Sequence, residues 1–172
     1  KKIGILTFHR ATNYGAILQA YGLESYLNSK GYDAKVIDYK PKGMANTYSF
    51  YHLQSLTPKR ILLFFYINFM RILEFPKKSK KRNMFWNYIE KTLPMTSNVV
   101  NDNDLPKMDV IIVGSDQVWR PLFSMNLGQF FLNFLDAAET RRISYSASFG
   151  VDYDEYSGEE RAMARSLMPM FN

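Results

Sequence analysis

Two short stretches of the chain hold the side chains best suited to chemistry. The first is His9-Arg10-Ala11-Thr12-Asn13-Tyr14-Gly15. It lies where an apolar run ends and a helical pattern begins. A helix start there offers free backbone N–H groups and the positive end of a dipole, which suits an anion or a polar sugar group. His9 and Arg10 add donors, and Asn13 can cap the helix; a plain N-cap beside an exposed loop histidine is the simpler reading of the same residues. The second is Gly114-Ser115-Asp116-Gln117-Val118-Trp119. Here glycine permits a tight turn, after which a hydroxyl, a carboxylate and an amide follow in a row. A carboxylate can take a proton from a sugar hydroxyl or accept its hydrogen bond. Trp119 is either a flat surface for a sugar ring or a core residue.

A third set is Ser144, Ser146 and Ser148 with Gly150, small residues that admit either a ligand or a closely packed helix. Ser148, nearer the strand tip, is the better candidate for a site. The chain contains neither Gly-x-Gly-x-x-Gly nor Gly-Lys-Ser/Thr, so no standard dinucleotide or phosphate loop is present. It also has no cysteine and only two histidines, His9 and His52. Disulfide scaffolds, zinc-thiolate and iron–sulfur sites and a cysteine nucleophile are thereby excluded. A histidine-rich metal site is excluded with them, and no metal is expected.

The elements that must position these residues follow from hydropathy. Residues 2–8 form a nearly continuous apolar run, as in a strand covered on both faces. A helix is predicted from Gly15 to Lys30, with Ala16, Ala20, Leu23 and Leu27 on one stripe and Gly31 as its stop. Residues 34–39 read as a second strand, completing a βαβ unit. Residues 41–58 look like a linker, 59–75 and 79–92 like helices, and 94–108 like a polar loop. Val110–Val113 is a third strand, 130–135 is undecided between strand and helical turn, and 142–149 alternates like a strand with a serine face. A last helix spans Glu159–Met168. This order predicts an α/β domain: a Rossmann-like parallel sheet with helices on both faces and a helical insertion at about 58–92. Ligands of such sheets sit beyond the carboxyl ends of the strands, which selects the loops 9–15, 114–120 and 146–151.

The 172 residues carry a net charge of +6, unevenly distributed. Residues 59–91 hold nine Lys or Arg against two acids, and the rest of the chain has a net charge of −1. No nucleic-acid recognition motif accompanies that basic segment, so nucleic acid is set aside as a partner. The run Lys77, Lys78, Lys80, Lys81 and Arg82 is either a solvated helix face or a contact with an anionic membrane surface. The apolar stretch 61–75 is interrupted by Asn68, Arg71 and Glu74 and falls short of the roughly 20 residues a span needs. The opening apolar run is too short for a signal peptide. A cytoplasmic protein is expected, peripheral at the inner membrane face if the basic run meets lipid rather than water.

Four blocks in order resemble the polysaccharide pyruvyl transferase family: Thr7 to Tyr21, Val36-Ile-Asp-Tyr39, Asp109 to Trp119, and Arg142 to Gly150. The family pattern often continues the third block with Asn, where this chain has Arg120. The resemblance implies a glycosyltransferase-B-like fold of two Rossmann-like domains facing across a cleft. Residues 1–172 would be the N-terminal, acceptor-side domain, with a second, donor-binding domain absent from this chain. The implied reaction moves pyruvate from phosphoenolpyruvate onto two sugar hydroxyls as a ketal, in bacterial exopolysaccharide or cell-wall polymer synthesis. Phosphoenolpyruvate is the donor substrate and no cofactor is implied. The acceptor would be a sugar or lipid-linked oligosaccharide, and the fragment alone would be inactive. Carried onto this chain, Asp116 becomes the candidate catalytic residue, and His9, Arg10, Asn13, Tyr14, Ser115, Gln117 and Ser148 the candidate substrate-binding residues. Arg10 is the one expected to meet an anionic group. Two alternatives stand beside this reading: a sugar-nucleotide-dependent glycosyltransferase on the same fold, and a non-catalytic polysaccharide-binding module.

Overall fold

Apolar runs too short for helices build the centre of this protein. In the computed structural model Lys2–Leu6 forms β1, Asp33–Val36 β2, Val110–Val113 β3 and Arg141–Ser144 β4. They make one parallel sheet in the order β2-β1-β3-β4. The structure describes residues 1–10, 13–39, 61, 64–66, 69, 80, 83–97, 105–124, 126–135 and 140–172. The predicted linker at 41–58, most of the helix at 59–75 and the lysines at 77, 78 and 81 lie outside the described residues.

Both faces of the sheet are covered, which is why β3 can be apolar at every position. Alternate residues of a strand point to opposite faces. Val110 and Ile112 pack with Ile3 and Ala34 on one face, against Leu23 and Leu27 of α1 (Tyr14–Ser29). Ile111 and Val113 pack on the other with Leu127 and Phe130 of α3 (Leu127–Phe130) and Ala164 of α4 (Gly158–Leu167). The predicted α/β architecture with a parallel sheet is therefore the observed one.

The helix ends follow from their local chemistry. Asn13 caps α1 by accepting the Gly15 N–H at 2.9 Å, and Gly31, at φ +83°, closes its other end. Ser157 and Glu160 form a reciprocal capping box at the start of α4, with Glu159 and Glu160 favoured in the first turn by the dipole.

Two expectations need correction, and one left open is decided. The strand predicted over 142–149 stops at Ser144, because Ser146 turns the backbone to φ +50° and breaks the alternation; a single bridge resumes between Asp116 and Ala147. The undecided segment 130–135 continues α3 as turns rather than as a strand. The stretch expected as loop from 94 adds a bridge at the free edge of β2, where Met95 pairs with Val36 and the Thr96 N–H reaches the Val36 carbonyl at 2.9 Å. Phe171 and Asn172 similarly line the edge of β4, the Asn172 N–H donating to the Arg142 carbonyl at 3.0 Å.

The chain divides into two compact units, Lys1–Met44 with Thr92–Asn172, and Ala45–Lys91. The sheet belongs to the first. In the second, residues 83–91 belong to helix α2 (83–92), with Phe85 and Ile89 buried one turn apart. Lys80, Met84 and Tyr88 are exposed there, as are Phe65, Tyr66 and Phe69. Among the described residues no helix is long and apolar enough to cross a membrane.

Candidate functional site

In the order β2-β1-β3-β4 the chain leaves β1 toward one side and later returns to its other side. The crevice beyond the carboxyl ends of β1 and β3 is therefore the topological switch point, where open α/β sheets bind ligands. Leu6 pairs with Val113 at the last rung, so Thr7 to Arg10 and Gly114 to Gln117 leave the sheet side by side.

Three side chains lace these two strand ends together. The Thr7 hydroxyl donates to the Ser115 carbonyl at 2.9 Å. Gln19, on α1, donates its Nε2–H to Thr7 Oγ1 at 3.0 Å, and its Oε1 accepts the Ser115 N–H at 3.2 Å. The Ser115 hydroxyl donates to that same Oε1. Thr7 is 3% exposed, while Gln19 and Ser115 are half-buried and face the crevice side of the sheet end.

Gly114 makes the turn out of β3 at φ +111°, and a Cβ there would run into the Tyr145 carbonyl oxygen. Glycine is required at this position on both counts. The Gly114–Ser115 peptide is cis, and Asp116 follows at φ +90°. The Asp116 carboxylate accepts the Gln117 N–H at 2.7 Å through Oδ1; among the described residues Oδ2 has no hydrogen-bond partner. The Asp116 carbonyl accepts the Ser148 N–H at 3.0 Å, which brings Ser148 to the rim beside it. The Gln117 amide lies over Gly150, whose φ is +74°, and accepts from Arg120 Nη1 at 3.3 Å. Ser115, Asp116, Gln117 and Ser148 are thus one cluster. Ser146 is exposed in the turn just before the bridge residue Ala147, and Ser144 stays in the strand.

His9 and Arg10 form a second cluster, turned inward on Asp38 just past β2. His9 is 1% exposed, with Nε2 2.9 Å from Asp38 Oδ1 and Nδ1 3.2 Å from the Thr7 carbonyl. Arg10 grips the same carboxylate with two bonds, Nε to Oδ1 at 2.6 Å and Nη2 to Oδ2 at 2.5 Å. Burial would raise the Asp38 carboxyl, but the hydrogen bonds from His9 and Arg10, with the Arg10 charge, outweigh it and hold the group well below the usual carboxylate range. His9 is therefore neither an exposed loop residue nor open to a ligand in this arrangement. Asn13 and Tyr14 stand at the start of α1, Asn13 spent on its cap and Tyr14 63% exposed.

Trp119 is a core residue. It is 7% exposed, stacks on Phe131 with ring centroids 5.3 Å apart and 6° between planes, and donates its Nε1–H to the Phe130 carbonyl at 3.1 Å. Its ring is not a platform for sugar. Arg120, the departure from the family pattern, pairs with Glu155 through two bonds of 2.8 and 2.9 Å. This tethers the loop after β3 to the segment before α4.

Sequence reasoning passed over Thr7, Gln19 and Asp38. A signal existed for Asp38, a carboxylate directly after an apolar strand in the block Val36-Ile-Asp-Tyr39. Among the described residues no group of three or more His, Asp and Glu side chains is gathered as a metal site would gather them. A depression of about 760 Å³ lies at the opposite, amino-terminal ends of the strands, lined by Lys1, Lys2, Asp33 and Asp109 among others. The physics of parallel sheets favours the carboxyl-end crevice over that depression.

Comparison with the curated proteins and with the solved structures found no match. The family model of polysaccharide pyruvyl transferase matches residues 13–169, which takes in Gln19, Asp38 and the whole Ser115–Ser148 cluster and leaves Thr7 to Arg10 just ahead of it. With nearly all of the chain inside that match, and two of the four resembling blocks meeting at the switch point, this chain belongs to the polysaccharide pyruvyl transferase family.

Proposed function

We propose that this chain is the acceptor-binding half of an enzyme that transfers pyruvate from phosphoenolpyruvate to two hydroxyls of one sugar. The observation that carries the reading is the cluster of Ser115, Asp116 and Ser148 at the switch point, with one Asp116 oxygen open to a ligand. A sugar hydroxyl in that crevice would donate to Asp116. In the reaction this hydroxyl adds to C2 of phosphoenolpyruvate while an acid protonates the methylene carbon. The second hydroxyl then displaces phosphate, leaving the cyclic ketal. Asp116 orients the attacking hydroxyl and takes its proton. Tyr14, Gln117 and Ser148 line the acceptor side, and Asn13 holds the start of α1.

The Asp38 contacts change the part proposed for His9 and Arg10. Their charge and donors are directed at Asp38, so they brace the loop after β1 instead of meeting an anionic group of the substrate. Cations for the donor's carboxylate and phosphate belong to a second domain of a glycosyltransferase-B-like pair, and this chain alone is inactive. The setting would be bacterial exopolysaccharide or cell-wall polymer synthesis on the cytoplasmic side.

The test is phosphate release from phosphoenolpyruvate by the complete protein, dependent on added sugar and followed by ³¹P NMR. Asp116→Asn should lower turnover by about 10²–10⁴-fold, the usual range for a general base. Unchanged turnover removes Asp116 from that role, and release of a nucleotide from a sugar nucleotide instead favours the glycosyltransferase alternative.

A second proposal concerns the unit Ala45–Lys91. Phe65, Tyr66, Phe69, Met84 and Tyr88 are exposed in a segment of net charge +7 over residues 59–91, a combination suited to an anionic lipid surface. Such docking would bring a lipid-linked oligosaccharide acceptor within reach. Failure to co-sediment with phosphatidylglycerol vesicles at low salt would remove it.

A further inference from the structure

The lacing of Thr7, Gln19 and Ser115 fixes a proton whose position decides what the crevice can bind. Backbone groups of Ser115 set the directions. Its carbonyl can only accept, so Thr7 Oγ1 must donate its single hydrogen there. Thr7 Oγ1 can then only accept from Gln19, which puts Nε2 on the Thr7 side and Oε1 on the Ser115 side. Oε1 takes the Ser115 N–H, which can only donate. The Ser115 hydroxyl touches the same Oε1, a pure acceptor, so its hydrogen must point to Gln19. No orientation in this ring is left to choice.

We infer that Gln19 is a positioning residue that makes Ser115 Oγ an obligate hydrogen-bond acceptor toward the ligand, so that this crevice selects uncharged polyols and rejects anions. This rests on the acceptor-site reading above and names its ligand chemistry. With its hydrogen held by Gln19, Ser115 Oγ offers a ligand lone pairs only. Asp116 Oδ2 beside it is also an acceptor. The nearby cations are engaged: Arg10 is bound to Asp38, and Arg120 to Glu155 and Gln117. The start of α1, which in dinucleotide folds meets a phosphate, has its Gly15 N–H covered by Asn13 Oδ1. A pair of lone-pair donors matches two sugar hydroxyls that give their hydrogens. It opposes a carboxylate, which has none to give, and a phosphate, whose charged oxygens outnumber or equal its hydrogens at neutral pH and would lie against the Asp116 carboxylate.

The experiment titrates the full chain with three neutral disaccharides (lactose, maltose and cellobiose), followed by saturation-transfer NMR, with inorganic phosphate as competitor. At least one disaccharide is expected to bind, and phosphate is expected not to displace it. Ser115→Ala keeps the Thr7 and Gln19 bonds through its backbone, so it should fold, and should weaken that saccharide about five- to tenfold, the worth of one hydrogen bond. Gln19→Met should weaken it similarly. In the Ser115→Ala background Gln19→Met should add nothing, because Gln19 acts through the hydroxyl; a merely structural Gln19 would add its full effect. A native-like Gln19→Met, additive losses, displacement by phosphate, or no binding by any of the three saccharides each overturns the inference. Should Gln19→Met not fold, Ser115→Ala and the phosphate competition decide alone. None of these measurements uses phosphoenolpyruvate. Coupled losses without pyruvyl transfer by the complete protein would keep this inference and remove the pyruvyl reading, and transfer with additive losses would do the reverse.

Discussion

Arg10 meets Asp38 side on, with Nε 2.6 Å from one carboxylate oxygen and Nη2 2.5 Å from the other, while His9 Nε2 shares the first oxygen at 2.9 Å. Three residues from two strand ends thereby close the floor of the loop after β1. The carboxylate is 9% exposed and the guanidinium 16%, so solvent does little to screen them. Asp38→Asn keeps the shape but removes the charge that both partners face. It should lower the unfolding free energy by about 2–3 kcal/mol, in line with hydrogen bonds to a charged group. Urea unfolding at pH 7 measures it. An unchanged midpoint would show that the pair gains nothing over its separate solvated members.

The same carboxylate sets an acid limit. Its folded-state titration lies well below the usual range, whereas an unfolded aspartate titrates near pH 3.9. Below that point the unfolded chain binds a proton that the folded chain does not, so acid favours unfolding. The contribution of Asp38 is complete above about pH 5 and is lost progressively as the pH falls through about 4 and below. Asp154, chiefly through the Tyr156 N–H, and Glu155, chiefly through Arg120, shift in the same direction. Urea midpoints between pH 7 and 3 should therefore fall steeply for the native chain and less steeply for Asp38→Asn. Parallel profiles would remove Asp38 as a source of the slope.

Gly114 carries the turn that puts Ser115 and Asp116 into the crevice. Its φ of +111° is one that L side chains rarely adopt, and a Cβ would strike the Tyr145 carbonyl, a backbone group. Gly114→Ala should cost at least about 1–3 kcal/mol from the backbone conformation alone. Saccharide binding should fall with it, since the strand ends can no longer stay in register. A variant with native stability and binding would mean that the turn has another accessible form.

Much of the framework was readable because it depends on neighbours in sequence. Asn13, Gly31 and the Ser157–Glu160 box mark helix ends from adjacent residues, and the unbroken run Val110–Val113 marks a strand buried on both faces. The candidates Ser115, Asp116, Gln117 and Ser148 do gather, because the strand ends that bear them are neighbours in the sheet. What stayed hidden depends on long separations. Residue type alone could not show that Asp38, 28 residues from Arg10, would take that side chain out of the crevice. Nor could it show that Gln19, a polar residue of α1, would reach Ser115, 96 residues away. The serine face misled because strict alternation predicts a strand only while the backbone stays extended, and Ser146 at φ +50° does not. For Trp119 the pattern was compatible with both a core and a surface ring, and the decision lay in Phe131 and the Phe130 carbonyl.

Thr7 is the link that transmits the order of β1 to the ligand side of β3. It is 3% exposed, donates to the Ser115 carbonyl and accepts from Gln19. Valine has nearly the same shape, so Thr7→Val removes both bonds without opening a cavity. The Ser115 carbonyl and the Gln19 amide then lose a partner in a partly buried place, a cost of about 1–3 kcal/mol. The Gln19 amide, no longer held at Nε2, keeps its orientation through the Ser115 N–H, which still needs Oε1 as its acceptor. Ser115 Oγ therefore keeps its hydrogen on Gln19, and the crevice gains no donor. Thr7→Val should then lower stability while phosphate stays excluded, as it does in Ser115→Ala. Urea unfolding reads the first effect and competition NMR on the two variants side by side reads the second. Phosphate competing in Thr7→Val alone would mean that the Gln19 orientation rests on Thr7 and not on the Ser115 N–H.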